Sequence, residues 1–291
     1  MLQHFEEINI LDNFYQTSSF YPMPVVLVTT ISETGQINIG PYSLCFPFKI
    51  AGNGQHAMIL ISRNTSNTAQ NIIRTKVCAI NFISDNKKFL KNTVKLGYPG
   101  DNTEEKMKNS IFTLIPSSRN KENPDKNFPD IIKEAEQVYE CTWDDCIDFS
   151  AVDESEENAE KHFFLRIDKI LLKPKWKEAI LQSNEKFPSL PVDYGFRNNY
   201  YFWFSQTKKP YKEPISGGKN ANLQAIMYAA QRTDPDIKWT EEACEKIIRV
   251  PRIFLGKVLK GCVEKAKEMG VDTITAEVMD RIRDKRSDEK N

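Results

Sequence analysis

The sequence predicts an α+β protein that is mainly β: a closed antiparallel barrel over its first two thirds, then a small all-helical domain. Three observations predict it. Short β-branched and aromatic runs recur between Tyr21 and Phe204, separated by Gly and Pro turns. Few stretches in that part are periodic over enough residues for more than a short helix. Beyond a Lys-, Pro- and Gly-rich stretch at Ser205–Gly218, the pattern becomes helical through Arg286. The expected division is therefore residues 1–205 for the barrel, 206–234 for a linker and helix, and 235–291 for the helical domain.

Met1–Phe20 mixes charge with a few large apolar residues, as a short helix covering a barrel end would. Tyr21–Thr30 (YPMPVVLVTT) is continuous and β-branched at its centre, the pattern of a strand buried on both faces. Glu33–Gln36 is a turn, and Ile37 opens the second strand of a hairpin. Gly40 and Pro41 interrupt it, and Tyr42–Phe48 resumes apolar. A Gly-containing connection at Ala51–Gln55 leads to a strand at Ala57–Ile61, a polar loop, and a helix from about Ala69 to Thr75. Val77–Ile83 reads as a strand and Asp85–Leu96 as a helix. Asp101–Lys133 is polar and punctuated by Pro116, Pro124 and Pro129, with a helical piece near Thr103–Asn109; it reads as a lobe or lid outside the barrel. Ala135–Trp143 and His162–Leu172 are strands, separated by the acidic stretch Asp144–Glu160, which reads as a solvated loop. Lys175–Leu190 has room for a short helix, and Tyr200–Phe204 (YYFWF) reads as a strand or a surface cover. Ala221–Arg232 and Thr240–Arg286 are helical, with breaks at Pro251 and Gly270.

Composition narrows the function classes. Lys plus Arg number 40, as do Asp plus Glu, so no global charge argues for nucleic acid or an acidic membrane. The start lacks a basic-then-apolar leader pattern and no run approaches a bilayer span, so the expectation is a cytoplasmic protein with neither membrane nor nucleic-acid partners. Six scattered cysteines and three distant histidines (His4, His56, His162) do not make a disulfide framework or a zinc site, and no metal is expected. No P-loop or G-x-G-x-x-G pattern is present.

The chemistry concentrates in Ser62–Ile73 (SRNTSNTAQNII). Strand, hydroxyl-rich loop and helix start together suit an anion, because the first amides of a helix lack internal partners and its dipole favours negative charge there. Ser and Thr are good N-caps, and Arg63 offers a planar fork for phosphate oxygens. An ordinary capped helix would use the same residues, and the loop alone does not decide between the two. Asn38 and Ser43 flank the Gly40–Pro41 break, either as turn formers or as groups facing a planar polar ligand.

The order of these segments decides. YPMPVVLVTT, a Gly turn, NIGPYS, ISRNTSNTAQNI and VCAINFI resemble the flavin reductase-like family, the FMN-binding split β-barrel proteins, over about residues 21–83. FPDIIKEAEQVYECTW (Phe128–Trp143) and the strand opened by His162 are similar to its later strands. The resemblance implies FMN as cofactor, hydride transfer from NADH or NADPH to the flavin, onward transfer to an acceptor, and a homodimer with the flavin near the subunit interface. It places Thr29, Thr30, Asn38 and Ser43 near the flavin ring, Arg63, Ser66 and Thr68 at the phosphate, Asn71 on the following helix, and His162 beside the nicotinamide as the catalytic candidate. Lys161 stands where the family has an Asp before that His. Cys45 receives no redox role.

A second resemblance covers about fifty residues. Trp239, Ala243, Ile247, Val250-Pro251, Phe254, Glu264-Lys265-Ala266, Gly270 and Ile274-Thr275-Ala276-Glu277 are similar to the small helical C-terminal domain of the light-independent protochlorophyllide reductase B subunit. It implies a fold and a docking role for a protein electron-transfer partner, without that enzyme's activity. Three functions follow as expectations: an FMN-dependent NAD(P)H oxidoreductase, a flavoredoxin-type FMN carrier serving a protein partner, and a non-catalytic binding or scaffold protein on a flavin-barrel fold.

Overall fold

The computed structural model describes residues 5–50, 56–97, 102–149, 153, 159–182, 186–197, 201–205, 210–211, 213 and 218–288. The connection at Ala51–Gln55, most of the acidic stretch after Phe149 and most of the linker at 206–217 lie outside the described residues. The chain forms two compact units, residues 1–177 with 186–209, and residues 178–185 with 210–291.

The first unit opens with α1 (Phe14–Thr17) and β1 (Met23–Pro24), followed by β2 (Val26–Ile31) and β3 (Ile37–Tyr42). The turn between β2 and β3 needs Gly35, whose φ of 82° costs a residue without Cβ nothing. β4 (Cys45–Lys49) and β5 (Ala57–Arg63) precede α2 (Asn67–Thr75) and β6 (Val77–Phe82). Then come α3 (Lys87–Leu96) and α4 (Thr103–Lys108), each capped by an Asn side chain, from Asn86 and Asn102. β7 (Leu114–Ile115) and β8 (Ile131–Ile132) pair across the Pro-rich segment. β9 (Gln137–Trp143), β10 (Glu160–Leu172), α5 (Pro174–Gln182), β11 (Val192–Arg197) and β12 (Phe202–Ser205) complete the order.

One curled antiparallel sheet of seven strands, ordered β3-β2-β6-β9-β10-β5-β4, organises this unit. A closed barrel is the simple expectation from the strand pattern, and here the structure differs. The sheet stays open between β3 and β4, which follow one another through Ser43 and Leu44, so the chain turns the corner without a ladder. Both sheet faces are covered. Val26, Val28, Leu60, Ile80, Phe163 and Leu165 fill one core. Leu27, Ile39, Ala79 and Val138 pack on the other side against Leu90, Leu96, Phe112 and Ile132. Two-sided burial is why all six residues of β2 and of β6 are buried and why both strands read as runs without polar alternation, interrupted only by Thr29 and Thr30 in β2 and Asn81 in β6.

The Pro-rich lobe is fastened to the sheet rather than hinged over it. Buried Glu140 on β9 accepts from Ser117 Oγ at 2.5 Å and from the Ser118 amide at 3.0 Å. Asn81 Oδ1 accepts the Ile132 amide at 2.8 Å. Arg119 reaches Asp168 of β10 at 2.8 Å with its guanidinium over the Phe128 ring. Each bond satisfies a group that would be costly to bury alone.

The second unit contains α6 (Gly218–Gln231), β13 (Lys238–Trp239), α7 (Glu241–Glu245), α8 (Arg252–Glu268), β14 (Thr273–Ile274) and α9 (Ala276–Asp288). Its core gathers Ile226, Ile237, Trp239, Ala243, Leu259, Cys262 and Ile274. The expectation of an all-helical domain needs one correction: β13 and β14 pair in parallel, Lys238 with Thr273 and Trp239 with Ile274. That short bridge ties the chain before α7 to the chain before α9. Thr240 caps α7 through the Ala243 amide at 3.3 Å.

Candidate functional site

β5 delivers the chain into the polar loop at one end of the sheet. Arg63 ends the strand, the Ser66 amide closes a turn on the Arg63 carbonyl at 3.1 Å, and the Asn64 amide is held by the Ala159 carbonyl at 2.8 Å. Ser66 has an extended backbone and caps α2 by accepting the Ala69 amide at 3.0 Å. The helix therefore begins at Asn67, two residues ahead of the sequence reading. Its nine residues have no acidic side chain in the first turn, which leaves the positive end of its dipole uncompensated.

Hydroxyls converge on this cap. Ser62 Oγ and Ser66 Oγ lie 2.8 Å apart, Tyr42 Oη is 2.7 Å from Ser62 Oγ and 3.3 Å from Ser66 Oγ. Arg63, the next residue along β5 after Ser62, is exposed. Tyr42, Ser62 and Arg63 form one wall of a cleft of about 220 Å³, lined also by Ser43 and Glu160 and by Asn13, Tyr15 and Gln16 of the N-terminal segment; Ser66 stands behind that wall, joined to it through Ser62. Rotatable hydroxyls, a nearby helix start and a permanent cation form a donor set suited to phosphate oxygens, with Glu160 as the one carboxylate that lines the same cleft. Glu160, across from Arg63 in the β5–β10 register, marks the edge of that set.

Behind the cap lies a second, closed network. Asn38 Nδ2 donates to Thr30 Oγ1 at 3.3 Å and to Thr68 Oγ1 at 3.2 Å, and Asn71 Nδ2 donates to Thr30 Oγ1 at 3.1 Å. Arg74 closes the set on the Ile31 carbonyl. Thr29 receives Asn81 Nδ2 at 3.3 Å. Thr29, Thr30 and Asn38 are fully buried and Thr68 and Asn71 nearly so. Asn38 Oδ1 is buried without a hydrogen-bond partner among the described residues. Gly40 permits the approach of α2 to β3, since a Cβ there would stand 2.3 Å from Thr68 Oγ1.

His162, the third residue of β10, lies opposite Ile61. Its Nδ1 lies 2.8 Å from Asp153 Oδ1, and Asp153 Oδ2 meets Lys161 Nζ at 2.6 Å. Burial alone would raise the Asp153 carboxyl, but hydrogen bonds from Lys161 and His162 outweigh it and hold the group below its ordinary range. This corrects the expectation of a solvated acidic loop at that residue. Cys45, Cys78 and Cys141 sit buried in the sheet core, where burial pushes the Cys45 and Cys141 thiols well up and keeps them protonated. Among the described residues no cluster of His, Cys, Asp and Glu could hold a metal ion, and no helix is long and apolar enough to cross a membrane.

The structure thus brings Ser43 and Arg63 to the cleft, with Ser66 joined to it through the Ser62 hydroxyl. It gathers Thr30, Asn38, Thr68 and Asn71 into the network behind it, places Thr29 beside Asn81, and leaves His162 on the adjoining strand. Sequence reasoning missed Tyr42, Ser62 and Asp153. Tyr42 was within reach of a parity argument: residues 38, 40 and 42 share one strand face, the face that meets α2. Ser43, five residues from Asn38, takes the other side of that division.

No protein-family model matches the sequence, and no curated protein matches it. Solved structures do. A 2-nitrobenzoate 2-nitroreductase from Pseudomonas fluorescens is 19% identical, with 69% of this chain and 89% of that chain covered and a TM-score of 0.51. Nitrilotriacetate monooxygenase component B from Bacillus cereus is 14% identical, with 73% and 98% covered and a TM-score of 0.53. A Shewanella frigidimarina protein described as a flavin reductase with a split barrel domain is 15% identical, with 70% and 90% covered and a TM-score of 0.51. The chain has the flavin reductase-like split-barrel fold. The resemblance of the C-terminal segment remains an expectation from its residues.

Proposed function

We propose that this chain is a flavin-dependent oxidoreductase that holds FMN with its phosphate at the Arg63–Ser66 loop and accepts reducing equivalents from NADH or NADPH. The observation that carries the reading is the meeting of Tyr42, Ser62 and Arg63 at a cleft in a split barrel, with the Ser66 hydroxyl that caps a nine-residue helix hydrogen-bonded to Ser62. When bound, FMN supplies a two-electron acceptor for hydride. The protein's part is binding and orientation. Arg63 and the Ser66 hydroxyl hold the phosphate, and Ser43 at the β3–β4 corner offers a hydrogen bond to the ring. The Thr30, Asn38, Thr68 and Asn71 side chains act from behind, fixing α2 against β2 and β3 so that its first turn keeps one orientation, while Thr29 ties β2 to β6 through Asn81. His162 stands on the strand face next to the cleft as the candidate for contact with the nicotinamide. No side-chain acid–base triad is required.

The fold neighbours support the reading by what they are called, a nitroreductase, a monooxygenase component and a flavin reductase. The resemblance implies a homodimer, and exposed Tyr21, Phe48 and Ile50 around edge strand β4 supply an apolar face for it. A second reading, an FMN carrier serving a protein partner, draws on the helical unit. There Arg249, Arg252, Lys257 and Lys260 are exposed around exposed Ile253 and Phe254. Purified protein titrated with FMN, then mixed with NADH or NADPH in a stopped-flow instrument, tests both. Saturable FMN binding and bleaching of the flavin absorbance are expected. Binding without bleaching by either nucleotide leaves the carrier; no FMN binding refutes both and leaves a non-catalytic binding protein.

A further inference from the structure

One carboxylate of the acidic segment after β9 is taken into the barrel wall. The Asp153 side chain is 8% exposed, and it collects three donors from two consecutive residues of β10. Oδ1 accepts the His162 amide at 3.1 Å and lies 2.8 Å from His162 Nδ1; Oδ2 accepts from Lys161 Nζ at 2.6 Å. The same turn supplies a ring: the Asp153 amide donates to the Phe149 carbonyl at 2.8 Å, and the Phe149 ring lies 5.7 Å from the imidazole at an interplanar angle of 34°. The imidazole thus has a carboxylate at one nitrogen and a tilted aromatic ring as a neighbour. The sequence carries Lys161 immediately before His162, so the carboxylate comes from a residue nine positions away, with Lys161 as its second partner.

Placement gives the dyad a direction. His162 pairs with Ile61, and Glu160 pairs with Arg63. Antiparallel partners share a face, as do residues two apart on one strand. His162 therefore stands on the face of the β5–β10 ladder whose Ile61, Arg63 and Glu160 line the cleft. An ionised carboxylate can only accept, so the ring nitrogen that faces Asp153 must donate.

We propose that Asp153 is a positioning residue for His162. It holds the imidazole as the Nδ1–H tautomer and so leaves Nε2 as a lone-pair acceptor at the edge of the cleft, where it recognises an N–H donor of the electron-donating nucleotide, the carboxamide of a dihydronicotinamide. The nucleotide half of this inference rests on the proposed oxidoreductase function; the tautomer half does not. Lys161 balances the carboxylate, so that removing Asp153 leaves a cation beside a ring free to turn.

Long-range 1H–15N correlation spectra of the 15N-labelled full chain read the tautomer directly. With three histidines in the sequence, His162→Gln identifies the signals of interest. The wild type is expected to show Nδ1–H at His162. In Asp153→Ala the ring should pass to Nε2–H, with KM for NADH or NADPH raised about tenfold, the loss of one hydrogen bond to substrate, while kcat and FMN affinity hold. Should Asp153→Ala fold poorly, Asp153→Asn keeps the volume and an acceptor for the His162 amide and tests the same charge. A wild-type Nε2–H tautomer, or an Nδ1–H tautomer that survives loss of Asp153, overturns the assignment. A changed tautomer with unchanged KM overturns the recognition role. Wild-type protein that binds FMN yet oxidises neither nucleotide overturns the functional reading and the recognition role together, while the spectra still report on Asp153.

Discussion

Ser66 joins two tasks in one side chain, since its hydroxyl caps α2 through the Ala69 amide and also lies 2.8 Å from Ser62 Oγ in the cleft wall. Ser66→Ala should lower stability by about 0.5–2 kcal/mol, the usual cost of losing an N-cap, and weaken FMN binding with it. Urea midpoints and flavin titration of the same variant separate the two effects. A stable variant with unaltered binding would deny Ser66 both roles. Asp153 and Glu136 give the fold an acid sensitivity with a defined sign. Both carboxyls lie below their ordinary values of 3.8 and 4.5 in the folded protein, for Asp153 through Lys161 and His162 against its burial, for Glu136 through Trp176, Lys173 and Lys175 against its burial. The folded state binds fewer protons there than the unfolded chain, so their stabilisation is present above about pH 4.5 and is lost as pH falls through the folded values. Urea midpoints taken from pH 6 down to pH 3 should decline, and Asp153→Asn should flatten part of that decline. A variant with an unchanged slope would show that Asp153 contributes nothing to it.

At the level of elements, β5 and α2 position the loop, and their hold depends on the core between them. Leu60 is fully buried on β5, in the cluster that also contains Ala69 and Ile72 of α2. Leu60→Ala should cost about 2–5 kcal/mol by cavity formation. Ile253→Ala, at a half-exposed position of α8, should stay within about 0.5 kcal/mol. Chemical denaturation of both variants checks the contrast. The strands were legible because both faces of the sheet are packed, which makes β2 and β6 mostly apolar and β-branched, with no charged residue, a pattern that local sequence identifies. The loop was legible because hydroxyls before a helix are a local signal. Three features were not. The sheet's failure to close depends on the corner at Ser43–Leu44, and nothing in two short apolar strands states whether their ends will pair. The β13–β14 bridge joins two-residue segments more than thirty positions apart, too short for any periodicity to mark. Asp153 looks like its acidic neighbours in sequence, and only the turn at Phe149 singles it out for burial.

On the scale of the whole molecule, the first unit holds the cleft and the second presents a surface. Edge strand β4 exposes Phe48, whose ring contacts Phe149 and Phe164, next to exposed Tyr21. An exposed apolar edge of this kind is a natural place for a second copy to pack. Sedimentation equilibrium should find a dimer, and Phe48→Glu should shift it to monomer; a wild-type monomer at tens of micromolar would remove the homodimer from the account. The four exposed cations around Ile253 and Phe254 give the carrier reading its own surface to test, independent of flavin binding.

The central claim is that the loop between β5 and α2 holds a phosphate. Equilibrium titration of wild type and Arg63→Ala with FMN and with riboflavin tests it directly, because the two ligands differ by that phosphate alone. Loss of the guanidinium should weaken FMN on the order of 10- to 100-fold, the worth of a charge-assisted hydrogen bond, and leave riboflavin affinity unchanged. Equal weakening of both ligands would contradict the assignment.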